Sequence, residues 1–247
     1  MVGYFIVLSM LAIALVGTLV VFTADARQNA EAERPPAVIP DVLQWLNISA
    51  ESTAESGASW NSRLLASMDR GSIELIDLAS PGAKIVDLRE RLAELAEDAD
   101  FDIATVWAGP EDLLAGTPLE VFEQTLASLL LLLQARGPVV VVGNIPDLTP
   151  ELVAAQLAKH DAVKAVIEQW NGSIARLAAA MGATIANLHE TAQTENSALH
   201  YLNGTSFQPD ESTHQAIARR FAQAMTEALE KRLNAKQLPR IEEQPTA

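Results

Sequence analysis

The sequence predicts an α/β protein: a three-layer α/β/α sandwich of the flavodoxin-like type with a five-stranded parallel sheet, preceded by one N-terminal transmembrane helix. Two observations favour the sandwich. Short apolar runs alternate five times with amphipathic helical patterns. One of these runs, residues 139–142, is four consecutive valines, which is typical of a strand covered on both faces. A third observation, the uncharged apolar run over residues 2–22, predicts the transmembrane helix.

The N-terminal run is long enough to cross a bilayer, because about 20 residues at about 1.5 Å per residue span a hydrocarbon core of about 30 Å. A cleaved signal peptide is the alternative, and Ala24-Asp25-Ala26 offers a small-x-small cleavage site. The run is longer than a usual signal-peptide core, however, and no Lys or Arg precedes it. We therefore predict a retained anchor over residues 1–23.

Two polar segments flank the folded domain, which is predicted over residues 41–235. Residues 24–40 are rich in Pro, Ala and Glu, a composition typical of a linker. Residues 236–247 contain two prolines and few apolar residues, and we predict a disordered tail there.

The elements of the domain follow from hydrophobic periodicity. Strands are predicted at residues 42–48, 73–78, 103–107, 139–142 and 184–188. Helices are predicted at residues 59–69, 83–99, 118–135, 161–181 and 213–233. In a parallel sheet of this kind, ligands bind beyond the carboxyl ends of the strands. The loops that follow the strands, and the segment before the last helix, are therefore the places to look for a site.

Charge and composition exclude several kinds of function. The chain carries 32 acidic and 17 basic residues, for a formal net charge of -15. Such a surface repels phosphate backbones and anionic lipid heads, so we expect no nucleic-acid partner and no membrane contact by the soluble domain itself. With no cysteine, the chain has no disulfide, thiolate nucleophile or thiolate metal site.

The four histidines show no metal-ligand spacing, so no metal and no cofactor is predicted. They are His160, His189, His200 and His214. His160 and His200 are interpreted as solvated residues. His189 follows the fifth predicted strand, and His214 lies near the start of the last helix.

Three segments at the predicted loops carry recognisable motifs. They are Ile76-Asp77-Leu78-Ala79-Ser80-Pro81-Gly82-Ala83, Val106-Trp107-Ala108-Gly109-Pro110-Glu111-Asp112-Leu113-Leu114, and Ser206-Phe207-Gln208-Pro209-Asp210-Glu211-Ser212-Thr213-His214. In order and spacing they resemble the second, third and last conserved blocks of the SGNH/GDSL hydrolases. This resemblance implies an SGNH-type fold over roughly residues 41–233, in agreement with the periodicity.

The first block of that family, Gly-Asp-Ser after the first strand, has no literal copy here. Ala50-Glu51-Ser52-Thr53-Ala54 fits best, with Glu51 for Asp and Ser52 at the nucleophile position. Ser49 is the alternative, although its context lacks both the glycine and the acid. A further segment, Gly143-Asn144-Ile145-Pro146-Asp147, matches a family phrase that either lines the pocket or forms a turn.

The resemblance assigns roles that this sequence fills only in part. It implies that Ser52, the backbone N–H of Gly82 and the side chain of residue 111 face one cavity. Residue 111 is Glu where the family has Asn, so an amide that donates to an oxyanion becomes a carboxylate that repels developing negative charge.

The family's catalytic triad consists of a nucleophilic serine, a histidine base and an aspartate that orients the base. The acid and the base are also replaced in this sequence. They align with Thr205 and Gln208, and an amide does not accept a proton near pH 7. His214, six residues after Gln208, is the alternative base. A histidine at that place is more commonly structural in the family.

Three functions follow from these observations. The leading hypothesis is a pseudoenzyme: an SGNH-like domain with impaired catalysis that binds a small acyl, ester or glycan ligand, or a protein, in the old substrate cleft. The second is an active serine esterase or acyl hydrolase that uses Ser52 with a rearranged base such as His214. The third is a structural membrane-tethered module, because a fold alone does not establish an activity.

Two criteria give different predictions for the side of the membrane on which the folded domain lies. Arg27 and Arg34 follow the predicted anchor, so the positive-inside rule places the domain in the cytoplasm. Analogy with the family favours the cell envelope, outside the cytoplasm, and this is the location that we predict. The sequence indicates no oligomeric state.

Overall fold

The computed structural model describes residues 42–51, 59–68, 73–95, 99–155, 159–191, 199–203 and 206–237, within one compact unit, Asp41–Ala247. The predicted anchor, linker and nearly all of the predicted tail lie outside these residues, as do Ser52 and Thr205. Among the helices that are described, none is long and apolar enough to cross a bilayer.

Five strands form the main sheet: β1 (Leu43–Ser49), β2 (Ile73–Asp77), β3 (Ile103–Trp107), β4 (Val139–Gly143) and β5 (Thr184–Ala186). All neighbouring pairs are parallel, and the strand order is β2-β1-β3-β4-β5. The predicted five-stranded parallel sheet is therefore confirmed. The strand order reverses between β1 and β3, and in such sheets the crevice at that point is the usual ligand site.

The described helices are α1 (Trp60–Ser67), α2 (Ile85–Glu94), α3 (Pro110–Leu114), α4 (Leu119–Arg136), α5 (Thr149–Ala154), α6 (His160–Ala180) and α7 (Glu211–Gln237). An antiparallel hairpin, β6 (Leu202–Asn203) and β7 (Ser206–Phe207), precedes α7. The sequence did not predict α3, α5 or this hairpin. Elements of two to six residues are too short to show a hydrophobic period.

Helices cover the sheet in two groups. Every residue of β3 is buried, as expected for a β-branched strand with both faces covered. One group consists of α1 and α7, where the ring of Trp60 stacks on Phe221 with centroids 4.1 Å apart. In the other group, α4 packs against α2 and α6, and Phe122 lies 4.7 Å from Trp170. The core thus lies on both sides of the sheet, and the strand ends remain available for a site.

Candidate active site

The predicted motifs meet at the carboxyl ends of β1 and β3. The N–H of Ala50, just after β1, donates to the carbonyl of Trp107 at the end of β3 (3.1 Å). On the other side, the N–H of Gly82 donates to the carbonyl of Ala50 (3.0 Å). The first three family-like segments are therefore joined by backbone hydrogen bonds. Because the N–H of Gly82 is already engaged in this way, it is not free to donate to an oxyanion in this conformation.

A glycine makes the turn after β3. Gly109 has a φ of 112°, which favours glycine, and a Cβ added there would lie 3.1 Å from the Ile145 side chain. Pro110 then begins α3. This tight turn places Glu111 directly beyond the strand.

Glu111 points toward the hairpin before α7. The backbone N–H of Phe207 in β7 lies near its half-buried carboxyl and favours the charged form. Burial raises the pKa of this carboxyl, the Phe207 N–H opposes that rise, and the charge of Asp112 adds to it. A carboxyl group therefore faces the segment that carries Gln208, at the place where the family has an amide donor.

Gln208, which the sequence resemblance aligns with the family's base, faces solvent. Its Oε1 accepts a hydrogen bond from Nδ2 of Asn203 (3.1 Å), and its backbone N–H donates to the carbonyl of Tyr201 (2.9 Å). The hairpin is fixed by Glu151, whose Oε1 accepts from the N–H groups of Tyr201 and Leu202 at 2.7 and 3.0 Å. The segment that carries Gln208 is thus held in place, and Gln208, the residue directly after β7, is an amide.

His214 lies on α7 with its ring beside a buried carboxyl. Its Nδ1 is 2.7 Å from Oε1 of Glu51, with the two side chains 13% and 2% exposed. Burial, followed by the charge of Arg63, lowers the pKa of His214 from 6.5 to about 4, whereas Asp210 acts in the opposite sense. Burial, followed by the charge of Asp77, raises the pKa of Glu51 well above its usual value.

The pairing of Glu51 with His214 was missed by sequence reasoning, which gave Glu51 no role beyond replacing the family's Asp. The two residues are far apart in the chain, and no local spacing relates them. Only their common presence in family-like blocks on neighbouring elements could have indicated that they approach each other.

Ser49, the alternative nucleophile position, is buried in β1 with 1% exposure. Nδ2 of Asn47 lies 3.5 Å from its Oγ and also donates to Asp77 (2.9 Å). Oδ1 of Asn47 accepts from the hydroxyl of Thr105 (3.0 Å). Because Ser49 belongs to this buried polar network below the strand ends, its hydroxyl does not face a cleft. Ser52 lies outside the described residues.

The Gly143-Asn144 phrase serves the fold. A Cβ at Gly143 would lie 2.7 Å from Trp107 and 2.8 Å from Phe221, so only glycine fits there. Oδ1 of Asn144 accepts from the N–H groups of Leu188 and His189 at 2.6 and 3.0 Å. Asn144 therefore joins the loop after β4 to the loop after β5, and the turn interpretation accounts for its side chain.

The remaining histidines lie apart from this edge or contribute through the backbone. His160 is exposed, with Nδ1 3.1 Å from the carboxylate of Asp161. The N–H of His200 donates to Oγ1 of Thr213 (2.8 Å). Within the described ranges, no group of three or more His, Asp or Glu side chains is arranged to hold a metal ion.

Comparison with known proteins agrees with this arrangement. The sequence model of the GDSL-like Lipase/Acylhydrolase family matches residues 45–216. No curated protein matches the sequence.

Several solved structures share the fold. A member of the lipolytic protein G-D-S-L family from Veillonella parvula superposes with a TM-score of 0.58 at 15% identity, covering 75% of this chain and 97% of that one. LAE5, an alpha/beta hydrolase from the metagenome of Lake Arreo, Spain, gives 0.60 at 16% identity, covering 77% and 98%. A variant of Axe2, an acetyl xylan esterase from Geobacillus stearothermophilus, gives 0.58 at 15% identity, covering 74% and 94%.

The family match spans more than half of the chain and includes each of the family-like segments described above from β1 to the start of α7. The parallel sheet, the turn at Gly109 and the loop before α7 are all present at their expected places. The chain belongs to the GDSL-like lipase/acylhydrolase family.

Proposed function

We propose that this protein is a catalytically impaired member of its family whose cleft, at the carboxyl ends of β1 and β3, binds a ligand or a protein instead of hydrolysing an ester. The observation that carries the proposal is Gln208. A serine hydroxyl needs a base that accepts its proton, and the exposed amide at this position is bound to Asn203 and has no basic nitrogen.

The oxyanion side of the cleft supports the same proposal. A tetrahedral intermediate requires donors aimed at its oxygen. Here residue 111 presents a carboxyl group, with the N–H of Phe207 nearby, and the N–H of Gly82 donates to the carbonyl of Ala50. Removing such donors typically costs about 100- to 1000-fold in rate, so loss of the base and of the oxyanion donors together leaves little catalysis.

The ligand class is inferred from the kind of substrate that the fold accommodates elsewhere. One of the similar structures is an acetyl xylan esterase by name. We therefore propose acylated sugars or other small esters as the ligands, bound without turnover. Acetylated xylo-oligosaccharides are the first probes to test, by calorimetric titration of the full-length chain in a mild detergent.

We also propose that the N-terminal apolar segment anchors the domain to a membrane, with the domain outside the cytoplasm. The support is the uncharged run over residues 2–22, which has the length of a bilayer-spanning helix. If the anchor is retained, the chain should stay in the membrane fraction after extraction at alkaline pH. Release into the supernatant would contradict it.

A second candidate function, an active esterase, is favoured by one contact. His214 has a carboxyl group at its Nδ1, which is how a catalytic histidine is oriented. Two physical facts oppose it. The pKa of His214 is lowered to about 4, so the ring is a weak base, and burial favours the neutral form of Glu51, which does not stabilise an imidazolium.

Hydrolysis of p-nitrophenyl acetate and butyrate separates the two functions. The wild-type chain would be compared with Ser52→Ala, Ser49→Ala and His214→Ala, each checked for folding by circular dichroism. The binding proposal expects no activity above that of Ser52→Ala. Turnover that is abolished by both Ser52→Ala and His214→Ala would overturn it and establish a rearranged catalytic site.

A further inference from the structure

The Glu51–His214 contact is a buried pair of titratable groups that the proposed function does not use. Oε1 of Glu51 and Nδ1 of His214 are 2.7 Å apart. Among the described residues, neither carboxyl oxygen of Glu51 nor Nδ1 of His214 has an aligned hydrogen-bond partner, so the 2.7 Å separation is a close contact of two otherwise unsatisfied buried atoms. Two atoms this close, with no competing partner, are held favourably only if a proton lies between them.

The pair joins the two sides of the cleft. Glu51 lies two residues after the end of β1, and His214 lies in the first turn of α7. Just before that turn, Asp210 accepts from the N–H of Thr213 (2.8 Å) and donates its own N–H to the carbonyl of His200 (2.9 Å). The loop that carries Gln208 is thus continuous with the helix turn that Glu51 contacts.

Charged groups surround the pair on each packed element. Arg63 of α1 and Asp77 at the end of β2 act on His214 and Glu51 respectively, and Asp210 also acts on His214. Arg63 in turn pairs with Glu211 at 2.9 Å. These neighbours include both signs, so the environment does not force a net charge on the pair.

We propose that Glu51 and His214 share one proton as a positioning pair that fixes the first turn of α7, and the Gln208 loop before it, against the carboxyl end of β1. Adding a second proton leaves a buried cation, and removing the shared proton leaves a buried carboxylate. Either change costs free energy because the two side chains are almost fully shielded from water. The pair therefore stabilises this end of the cleft only while it holds one proton.

Proton counting gives the sign of the pH effect. In the unfolded chain, the Glu51 and His214 side chains titrate near pH 4.5 and 6.5. Between these two pH values the unfolded pair therefore also holds one proton. Folding then takes up no proton, and the contribution of the pair is flat with pH. Above pH 6.5 the unfolded chain loses its proton while the folded pair keeps it, so stability falls. Below pH 4.5 the unfolded chain gains a second proton first, and stability falls by a smaller amount.

The two single variants should change the pH dependence of stability in opposite directions. Glu51→Gln leaves a lone base whose folded pKa is lowered, so its stability should rise with pH between 4.5 and 6.5. His214→Gln leaves a lone acid whose folded pKa is raised, so its stability should fall as pH rises over the same range. Glutamine retains hydrogen-bonding capacity at both sites without titrating.

The experiment is urea unfolding of the full-length chain in a mild detergent at pH 4 to 8, for wild type, both single variants and the double variant. Contributions of the surrounding charges cancel in the double-mutant cycle. Between pH 4.5 and 6.5 we expect the unfolding midpoint to rise with pH for Glu51→Gln, to fall for His214→Gln and to stay level for wild type and the double variant. The coupling between the two substitutions should be favourable and constant across that interval. Parallel pH profiles for all four proteins, or a coupling of zero between the two substitutions, would overturn the proposal.

If a variant does not fold, the wild-type protein alone provides the test. The imidazole proton signals of His214 can be followed by NMR from pH 8 to 4. They are assigned by elimination with His160→Gln, His189→Gln and His200→Gln, which remove the other three histidine signals one at a time. A signal that shows no protonation until about pH 4 supports the shared proton, and titration near 6.5 contradicts it.

Discussion

Replacing Asn144 by Ala should destabilise the protein by about 3 kcal/mol, because one side-chain oxygen serves two backbone donors. Oδ1 accepts from the N–H groups of Leu188 and His189 at 2.6 and 3.0 Å, and Leu188 is fully buried. Each buried donor left without a partner costs about 1–3 kcal/mol, and the half-buried His189 lies at the low end of that range. For a domain of this size, about 3 kcal/mol lowers Tm by about 6–12 °C.

The nearest control is Asn144→Asp, which keeps the acceptor oxygen, replaces the donor that reaches Asn187 (3.0 Å) with a second oxygen, and adds a negative charge at neutral pH. Thermal unfolding of the full-length chain, followed by circular dichroism, should show a clearly smaller loss for Asp than for Ala. Equal losses in the two variants would refute the reasoning, because they would mean that the acceptor oxygen is not what holds the two loops together.

Two further predictions concern the core and the cleft. Trp60→Ala should lower the unfolding free energy by about 3–5 kcal/mol, because the fully buried ring stacks on Phe221. Trp60→Phe should lower it by less. Equal losses for the two variants in urea unfolding would contradict the role of the larger ring. Glu111→Gln should be more stable than wild type at neutral pH and equal to it below pH 4.5. A carboxyl whose folded pKa is raised contributes stability at low pH that is lost as pH rises. A constant difference across pH 4 to 8 would contradict this.

The regular elements could be predicted because each has a periodic signal of its own. β3 spans residues 103–107 as predicted, since five consecutive apolar or β-branched residues suit a strand buried on both faces. The predicted fifth strand was too long at its end. It stops at Ala186 because the N–H of Leu188 turns to Oδ1 of Asn144 and no longer extends the ladder. The helix predicted over residues 83–99 is shorter as well, running from Ile85 to Glu94.

The sequence indicated where the candidate residues lie in the fold but not which contacts they make. Gly82 follows β2, Glu111 lies at the start of α3 after β3, and Gln208 follows β7. That the N–H of Gly82 is engaged by Ala50, and that Glu51 meets His214, depends on how distant segments pack. Such contacts are set by tertiary structure, and local sequence patterns carry no signal for them.

The most direct measurement restores the missing groups on the existing fold. Glu111→Asn, Thr205→Asp and Gln208→His would be combined in one chain, assayed with p-nitrophenyl acetate beside wild type, and repeated with Ser52→Ala added. If the replaced side chains at residues 111, 205 and 208 account for the loss of catalysis, the triple variant should hydrolyse the ester at least about 100-fold faster than wild type, and Ser52→Ala should abolish the gain. A wild-type rate that already depends on Ser52, or a folded triple variant with no gain, would contradict it.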